Sequence, residues 1–155
     1  MSLKLLLAGR RQGRGSVRSP ALLGKSADWR EIGGVRAFFR SRWEANYARW
    51  LELLRSSGKI RSWEHEPETF WFEGIKRGVC SYKPDFRVTR LDGSVEYHEV
   101  KGWMTPRSQT ALKRMAKYHP KVTLVVVDKV QYARLSRDVK YVVPGWEGVT
   151  PRRSR

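Results

Sequence analysis

The chain has 155 residues, a length that suits one domain with a single hydrophobic core and excludes two domains that each bury a core of their own. Its 32 Lys and Arg outnumber its 15 Asp and Glu and give a formal charge of +17, so nucleic acid is the expected partner. Its apolar runs are too short for a signal peptide or a membrane-spanning helix, and we expect no membrane partner and a cytoplasmic location.

Residues 1–34 are rich in Gly, Ser and basic side chains and have no apolar periodicity, which predicts a flexible basic arm. The arm carries three candidate contacts to the DNA backbone: Arg10, Arg11 and Arg14. A merely solubilising tail is the alternative. The folded domain is expected over residues 35–150, with a basic tail at 151–155.

Apolar side chains recur at three- and four-residue steps from Arg36 to Leu54, which predicts a helix of about five turns. Glu44 lies near the shoulder of its aromatic face, so that its carboxylate can point along the rim of the core. An ordinary solvated Glu is the alternative. Three basic residues of this segment are candidate DNA contacts: Arg36, Arg40 and Arg42.

The second half of the chain alternates between strand and helix patterns. In chain order we expect a short strand at 67–72, a turn at 73–78, strands at 82–90 and 95–103, a helix at 107–118, a buried strand at 122–127, a helix at 130–137 and a strand near 139–143. This order predicts an α/β fold with a mixed central sheet flanked by helices. The turn and the first of these helices add candidate DNA contacts: Lys76, Arg77, Arg107, Lys113, Arg114 and Lys117.

The loop between the two central strands decides which residues face each other. A two-residue turn at Asp92 and Gly93 places Asp85 opposite Val100 and sends Glu99 to the other face of the sheet. A three-residue loop that begins at Leu91, with Gly93 in a left-handed bulge, instead pairs Arg90 with Ser94. We predict the second register, in which Asp85 lies directly opposite Glu99.

In that register two carboxylates and one ammonium share a face of the sheet. Cross-strand partners have Cβ atoms about 5 Å apart, close enough for Asp85 and Glu99 to ligate one divalent ion. The carbonyl of Val100 can supply a third oxygen, and Lys101 can position the attacking water or stabilise the charged phosphate. Glu44 could reach in from the helix for a second ion. The alternative is a surface ion pair from Asp85 to Lys101.

These motifs resemble those of the PD-(D/E)xK nucleases. Tyr82-Lys83-Pro84-Asp85-Phe86 and Tyr97-His98-Glu99-Val100-Lys101 look like the two halves of that motif, and the segment Arg42 to Tyr47 looks like the acidic helix that precedes them. The resemblance spans about Arg36 to Val143 and implies a restriction-endonuclease-like core. It implies Glu44, Asp85, Glu99 and Lys101 as the catalytic set, with Mg²⁺, or Mn²⁺ in its place, as cofactor.

Within that superfamily the small size, basic arm and motif order are most similar to phage and archaeal Holliday junction resolvases and to phage endonuclease I enzymes. This implies a homodimer that cuts four-way or branched DNA by paired nicks. Three interpretations remain open: such a junction endonuclease, an endonuclease subunit of a transposition or restriction system, and a non-catalytic basic DNA-binding protein. Recognition of DNA shape through backbone charge favours the first.

The remaining chemistry-bearing residues are expected to be structural. Seven Trp, six Tyr and five Phe indicate a packed domain beneath the positive surface. The lone Cys80 excludes an intrachain disulfide and a four-cysteine zinc site, and His65, His98 and His119 lack zinc-like spacing. Few Asn and Gln beside many Arg follow the trend of hot-environment proteins, and a thermophilic source is expected.

Overall fold

The computed structural model describes residues 26–149, and the predicted contacts Arg10, Arg11 and Arg14 lie outside them. Eight strands and three helices follow one another in the order β1 (Asp28–Ile32), β2 (Val35–Phe39), α1 (Arg42–Ser56), β3 (Ser62–His65), β4 (Phe70–Trp71), β5 (Ser81–Tyr82), β6 (Phe86–Thr89), β7 (Val95–Lys101), α2 (Pro106–Tyr118), β8 (Leu124–Asp128) and α3 (Lys129–Val139). No helix among these residues is long and apolar enough to cross a membrane.

A mixed four-stranded sheet in the order β3-β6-β7-β8 forms the centre of the domain. The first three strands are antiparallel, and β8 runs parallel to β7. The domain has one hydrophobic core on each face of this sheet, because successive side chains of β8 point to opposite faces. Val125 and Val127 pack with α1 and α3 on one face, whereas Leu124 packs with α2 on the other. The predicted α/β class, with a mixed sheet flanked by helices, is confirmed.

The segment before α1 differs from the prediction. Residues 28–39 form an antiparallel hairpin, so the expected arm to residue 34 and the expected helix start at Arg36 are both wrong. Gly33 and Gly34 have φ of 61° and 78°, the positive values that a tight hairpin turn requires. The helix begins only at Arg42, because the Ser41 hydroxyl caps it by accepting a hydrogen bond of 3.1 Å from the Glu44 N–H.

Three expected strands are also corrected. The strand expected at 67–72 shrinks to β4, while β3 was not predicted at all. The strand expected at 82–90 is divided into β5 and β6, because Pro84 has no N–H for a ladder. No strand forms near 139–143, where α3 runs on to Val139 and turns carry Val143 and Trp146 into the core.

The turn between β6 and β7 has the predicted three-residue form. Arg90 donates its N–H to the Ser94 carbonyl at 2.8 Å, and Gly93 has φ of 85°. Phe86 therefore lies opposite His98 and Thr89 opposite Val95. The same register, continued by one residue, places Asp85 opposite Glu99, and the two-residue alternative is excluded.

Gly93→Ala tests the dependence of the hairpin on a left-handed residue. A Cβ at positive φ costs about 1–2 kcal/mol, so we expect the free energy of unfolding to fall by about that amount in urea denaturation. Leu91→Ala is the control, since Leu91 is an exposed residue of the same loop, and we expect it to change stability by less than about 0.5 kcal/mol. Equal effects of the two substitutions would contradict the proposed role of Gly93.

Candidate active site

Three buried carboxylates meet at the end of the central sheet where β6 begins. Glu44, Asp85 and Glu99 are only 3%, 5% and 5% exposed. Glu44 comes from the first turn of α1, Asp85 immediately precedes β6, and Glu99 lies on β7. The register of the hairpin and the capped start of α1 therefore bring together the three acidic residues predicted from the motifs.

Asp85 holds its position through the backbone of the neighbouring strand. Its Oδ2 accepts a hydrogen bond of 2.8 Å from the Val100 N–H, and Pro84, opposite Val100 in the continued register, has no N–H to donate to the Val100 carbonyl. Because the N–H and C=O of a residue in an extended strand point to the same side, the Val100 carbonyl is directed toward the same edge. Val100 is therefore oriented as the prediction of a carbonyl ligand requires.

Burial raises the pKa of Asp85 well above its ordinary range, and the charges of Glu99 and Glu44 raise it further. The Val100 N–H and the guanidinium of Arg40 oppose this shift. Since burial and repulsion prevail, the ionised form of Asp85 is under-compensated by the chain's own groups. A cation bound at this position would be favoured.

Glu99 and Lys101 project together from β7 toward α2. Lys101 Nζ lies 3.0 Å from Glu99 Oε1, and both residues line a recess with Tyr82, Met104 and Ser108. Glu99 Oε2 is buried and has no hydrogen-bond partner within residues 26–149. Burial and the Glu99 charge raise the pKa of Tyr82, although the geometry of its hydroxyl leaves it without a hydrogen bond to Glu99. One carboxylate oxygen is thus left for a further ligand.

Glu44 reaches the site from the opposite face of the sheet and is held by two donors. His65 Nε2 lies 2.6 Å from its Oε1, and the Arg40 N–H donates to its Oε2 at 3.1 Å. The His65 ring packs on Phe39 at 4.5 Å and on Phe86 at 5.5 Å between ring centroids. These contacts fix the orientation of the Glu44 carboxylate.

The sequence interpretation missed His65 and Glu66. Glu66 has the left-handed φ of 45°, and its N–H donates to the Asp85 carbonyl at 2.8 Å. Its carboxylate forms ion pairs with Arg40 and, at 3.3 Å, with Lys83. Local sequence offered little signal for them, since the segment Ser62–His65 has one apolar residue and becomes a strand by pairing with β6, which brings His65 opposite Phe86.

Arg40 bridges two of the acidic groups. Its Nη2 pairs with Glu66 and lies 3.4 Å from Asp85 Oδ1, while the side chain remains 61% exposed. Arg40, predicted as a DNA contact, is therefore a counter-ion of the acidic site in this structure.

One group of three metal-ligating atoms lies within this region. Single ligand atoms of Glu44, His65 and Glu66 are all within 4.8 Å of one another. Asp85 and Glu99 are outside that group, since Arg40 stands between Glu66 and Asp85. The site thus offers one group of ligand atoms from Glu44, His65 and Glu66 and, outside it, the buried carboxylates of Asp85 and Glu99.

The other predicted basic contacts occupy different environments. Exposed positions are held by Lys76, Arg77, Arg107 and Lys113. Three more make local contacts on the surface, since Arg36 lies over Trp29, Lys117 lies over Tyr118, and the Arg42 guanidinium lies against Gly148. Arg114 is half-buried and donates to the Val79 carbonyl, a contact that stabilises the fold.

The histidine next to Glu99 belongs to the core. His98 points to the α1 face, where its Nδ1 forms a hydrogen bond of 2.8 Å with the Tyr47 hydroxyl. Its Nε2 lies 3.1 Å from Glu96, although burial lowers the pKa of His98. His98 therefore supports α1 against the sheet and points to the face of β7 opposite that of Glu99.

Fold and site together define a small α/β domain with a buried acidic cluster and a lysine at one end of its sheet. Residues 29–134 match the model of a family described as "Protein of unknown function (DUF1064)". The match covers more than half of the chain, and the chain belongs to this family. A search of curated proteins and a search of solved structures each returned no match. The matched region contains Glu44, Asp85, Glu99 and Lys101.

Asp85→Asn tests whether the buried charge of Asp85 destabilises the protein. The experiment is done with chelator present, so that no metal ion offsets that charge. Because the native pKa is raised, the stability linked to Asp85 is fully present below its ordinary value of 3.8 and is lost as pH rises through the native pKa. We expect the variant to gain about 1 kcal/mol or more over the wild type near neutral pH in urea denaturation. The gain in the free energy of unfolding should shrink as the pH falls toward 3.8, the ordinary pKa of an aspartate.

Asp92→Asn is the matched control for this experiment. Hydrogen bonds from Ser94 lower the pKa of Asp92, which is exposed, so its removal should destabilise the protein at neutral pH. A loss of stability in Asp85→Asn at neutral pH would contradict the assignment of strain to Asp85.

Proposed function

We propose that this protein is a Mg²⁺- or Mn²⁺-dependent endodeoxyribonuclease that hydrolyses DNA phosphodiester bonds. The observation that carries the proposal is the pairing of Asp85 with Glu99 across the hairpin, with Lys101 Nζ 3.0 Å from Glu99. A structural ion pair on an exposed sheet face would not require both carboxylates to be 95% buried, as their 5% exposures imply. The resemblance to the PD-(D/E)xK motifs supports the same proposal.

The donor set fits a divalent cation. Glu99 Oε2 is a buried acceptor without a partner among the described residues, and burial together with the charges of Glu99 and Glu44 raises the pKa of Asp85. Asp85, Glu99 and the Val100 carbonyl offer oxygen atoms, the ligands that Mg²⁺ prefers, and Glu44 with His65 suits Mn²⁺ better. A bound ion would supply charge neutralisation at the phosphate and would activate water for attack.

Four residues of the chain have further roles in the proposed reaction. Lys101 holds its ammonium at the mouth of the recess, where it can orient water or stabilise the negative charge that develops on phosphate oxygens. His65 orients Glu44, and the Val100 N–H orients Asp85. Arg40 can leave Asp85 for a DNA phosphate, because its side chain is largely exposed.

Branched DNA is the proposed substrate, and a homodimer is the proposed active form. The charge of +17 favours recognition through the phosphate backbone, and residues 26–149 form one α/β domain that displays exposed Lys and Arg. Two copies of one site on opposed strands would produce paired nicks. An endonuclease subunit of a transposition or restriction system would share the chemistry but would need a partner protein to cut.

A labelled four-way junction and a linear duplex of the same composition test the proposal. With Mg²⁺ or Mn²⁺ we expect symmetric nicks in the junction, and with chelator we expect binding without cleavage. Light scattering of the protein alone reports whether it is a dimer. Salt-sensitive binding with no cleavage in either metal would leave a non-catalytic DNA-binding protein and would reject the nuclease.

Asp85→Asn, Glu99→Gln and Lys101→Ala should each lower the cleavage rate at least about 100-fold while binding is retained, because each removes a group that stabilises the transition state. Glu64→Gln is the matched control, as Glu64 is an exposed carboxylate on β3. Single-turnover rates and gel-shift binding measure the two effects separately. Cleavage that survives in Glu99→Gln would remove Glu99 from the site.

Arg40→Ala should bind Mn²⁺ more tightly, by about tenfold, because a cation next to Asp85 opposes a second cation. Titration calorimetry with Mn²⁺ alone measures this. Arg36→Ala is the control, since Arg36 lies over Trp29 on the hairpin. Weaker Mn²⁺ binding in Arg40→Ala would show that Arg40 organises the carboxylates and does not compete for their charge.

A further inference from the structure

An exposed tryptophan stands beside the candidate active site. Trp103 is 71% exposed and follows Lys101 by two residues. Lys101 and Met104, on either side of it, line the recess that contains Glu99. The backbone of Trp103 therefore runs between two residues of that recess, and its side chain is largely exposed to solvent.

The backbone on both sides of Trp103 is held in place. A methyl group on Gly102 would lie 3.1 Å from Cζ3 of the Trp43 ring, so the chain runs directly over Trp43. Trp43 in turn stacks on Tyr132, with 4.2 Å between ring centroids and 10° between the ring planes. After Trp103, Thr105 caps α2 by accepting a hydrogen bond of 3.1 Å from the Ser108 N–H. An aromatic ring on so fixed a segment loses little conformational entropy when it binds.

The surroundings of Trp103 suit a nucleic acid base. Lys101 lies two residues before it, and Arg107 is an exposed cation in the first turn of α2. Proteins that bind unpaired strands combine an aromatic face for the base with cations for the backbone. An intact duplex offers no such base, because its bases are already stacked and must be unpaired at a cost.

We propose that Trp103 stacks on an unpaired base next to the scissile phosphate and thereby gives the protein a preference for branched DNA over intact duplex. This inference rests on the proposed nuclease function and names the residue that selects its substrate. It assigns recognition of unpaired bases to the β7–α2 connection, which directly follows Lys101 at the end of β7.

Trp71 provides a matched control. It is 68% exposed, nearly as much as Trp103. Its carbonyl accepts a hydrogen bond of 2.9 Å from Nε2 of His119, the residue that caps the C-terminal end of α2, whereas Trp103 precedes the N-terminal cap. The helix of 13 residues between these ends is about 20 Å long. Trp71 therefore has the same chemistry and exposure but lies at the far end of α2.

The test measures binding in chelator, so that cleavage does not contribute. A four-way junction that carries an unpaired 2-aminopurine at the branch point and a duplex of the same sequence are titrated with wild type, Trp103→Ala, Trp103→Phe and Trp71→Ala. We expect wild type to quench the branch-point probe and Trp103→Ala to lower the junction-to-duplex affinity ratio about tenfold, the effect of losing one stacked base. Trp103→Phe should retain most of the ratio, and Trp71→Ala should retain all of it.

An unchanged ratio in Trp103→Ala, or an equal loss in Trp71→Ala, overturns the stacking role. That outcome is distinct from failure of the proposed function, which would appear as absence of metal-dependent cleavage by wild type on every DNA. In a second measurement, the cleavage rates of wild type and Trp103→Ala are compared on nicked, branched and intact DNA. Trp103→Ala should lose rate on branched DNA and keep the wild-type rate on intact duplex.

Discussion

Burial of three carboxylates in one place is the constraint on which the rest of this structure depends. Glu44, Asp85 and Glu99 repel one another away from water, and the pKa of Asp85 is raised by burial and by both neighbours. Each carboxylate has its own donor or cation: the Val100 N–H and Arg40 contact Asp85, His65 contacts Glu44, and Lys101 contacts Glu99. Such an arrangement is costly to hold without a bound cation, and this cost supports the proposal that the cluster serves chemistry.

The position of each carboxylate depends on a different local structural feature. The bulge at Gly93 sets the register, and a slip of one residue would turn Glu99 to the α1 face. Pro84 has no N–H to donate to the Val100 carbonyl, and the Val100 N–H binds the Asp85 side chain. The cap at Ser41 starts α1 at Arg42, so that Glu44 lies in the first turn of the helix and is buried. Because these features belong to separate segments, the site exists only when the hairpin, the helix and the sheet form together.

The proposed chemistry and the proposed recognition come from one short segment. β7 carries Glu99 and Lys101, and the connection from β7 to α2 carries Trp103 over the Trp43 ring. A base held on Trp103 would fix the position of the adjacent phosphate relative to Lys101. Under these proposals, substrate selection beside the catalytic groups would let a domain of this size recognise DNA shape through few contacts.

Local sequence patterns were sufficient to predict much of the fold and the acidic residues of the candidate site. The sequence allowed two turn forms at Gly93, and the predicted three-residue form, which pairs Asp85 with Glu99, is confirmed. Apolar periodicity predicted α2, β8 and α3. The tertiary structure alone decided the rest, because pairing between distant segments overrides local preference. Phe39 fits both a helix and a strand pattern, and only its pairing with Asp28 selects the strand. The valines at 142–143 form no strand because no partner strand lies beside them within residues 26–149. His65 joined Glu44 through β3, across 21 residues of chain, a contact that no local pattern encodes.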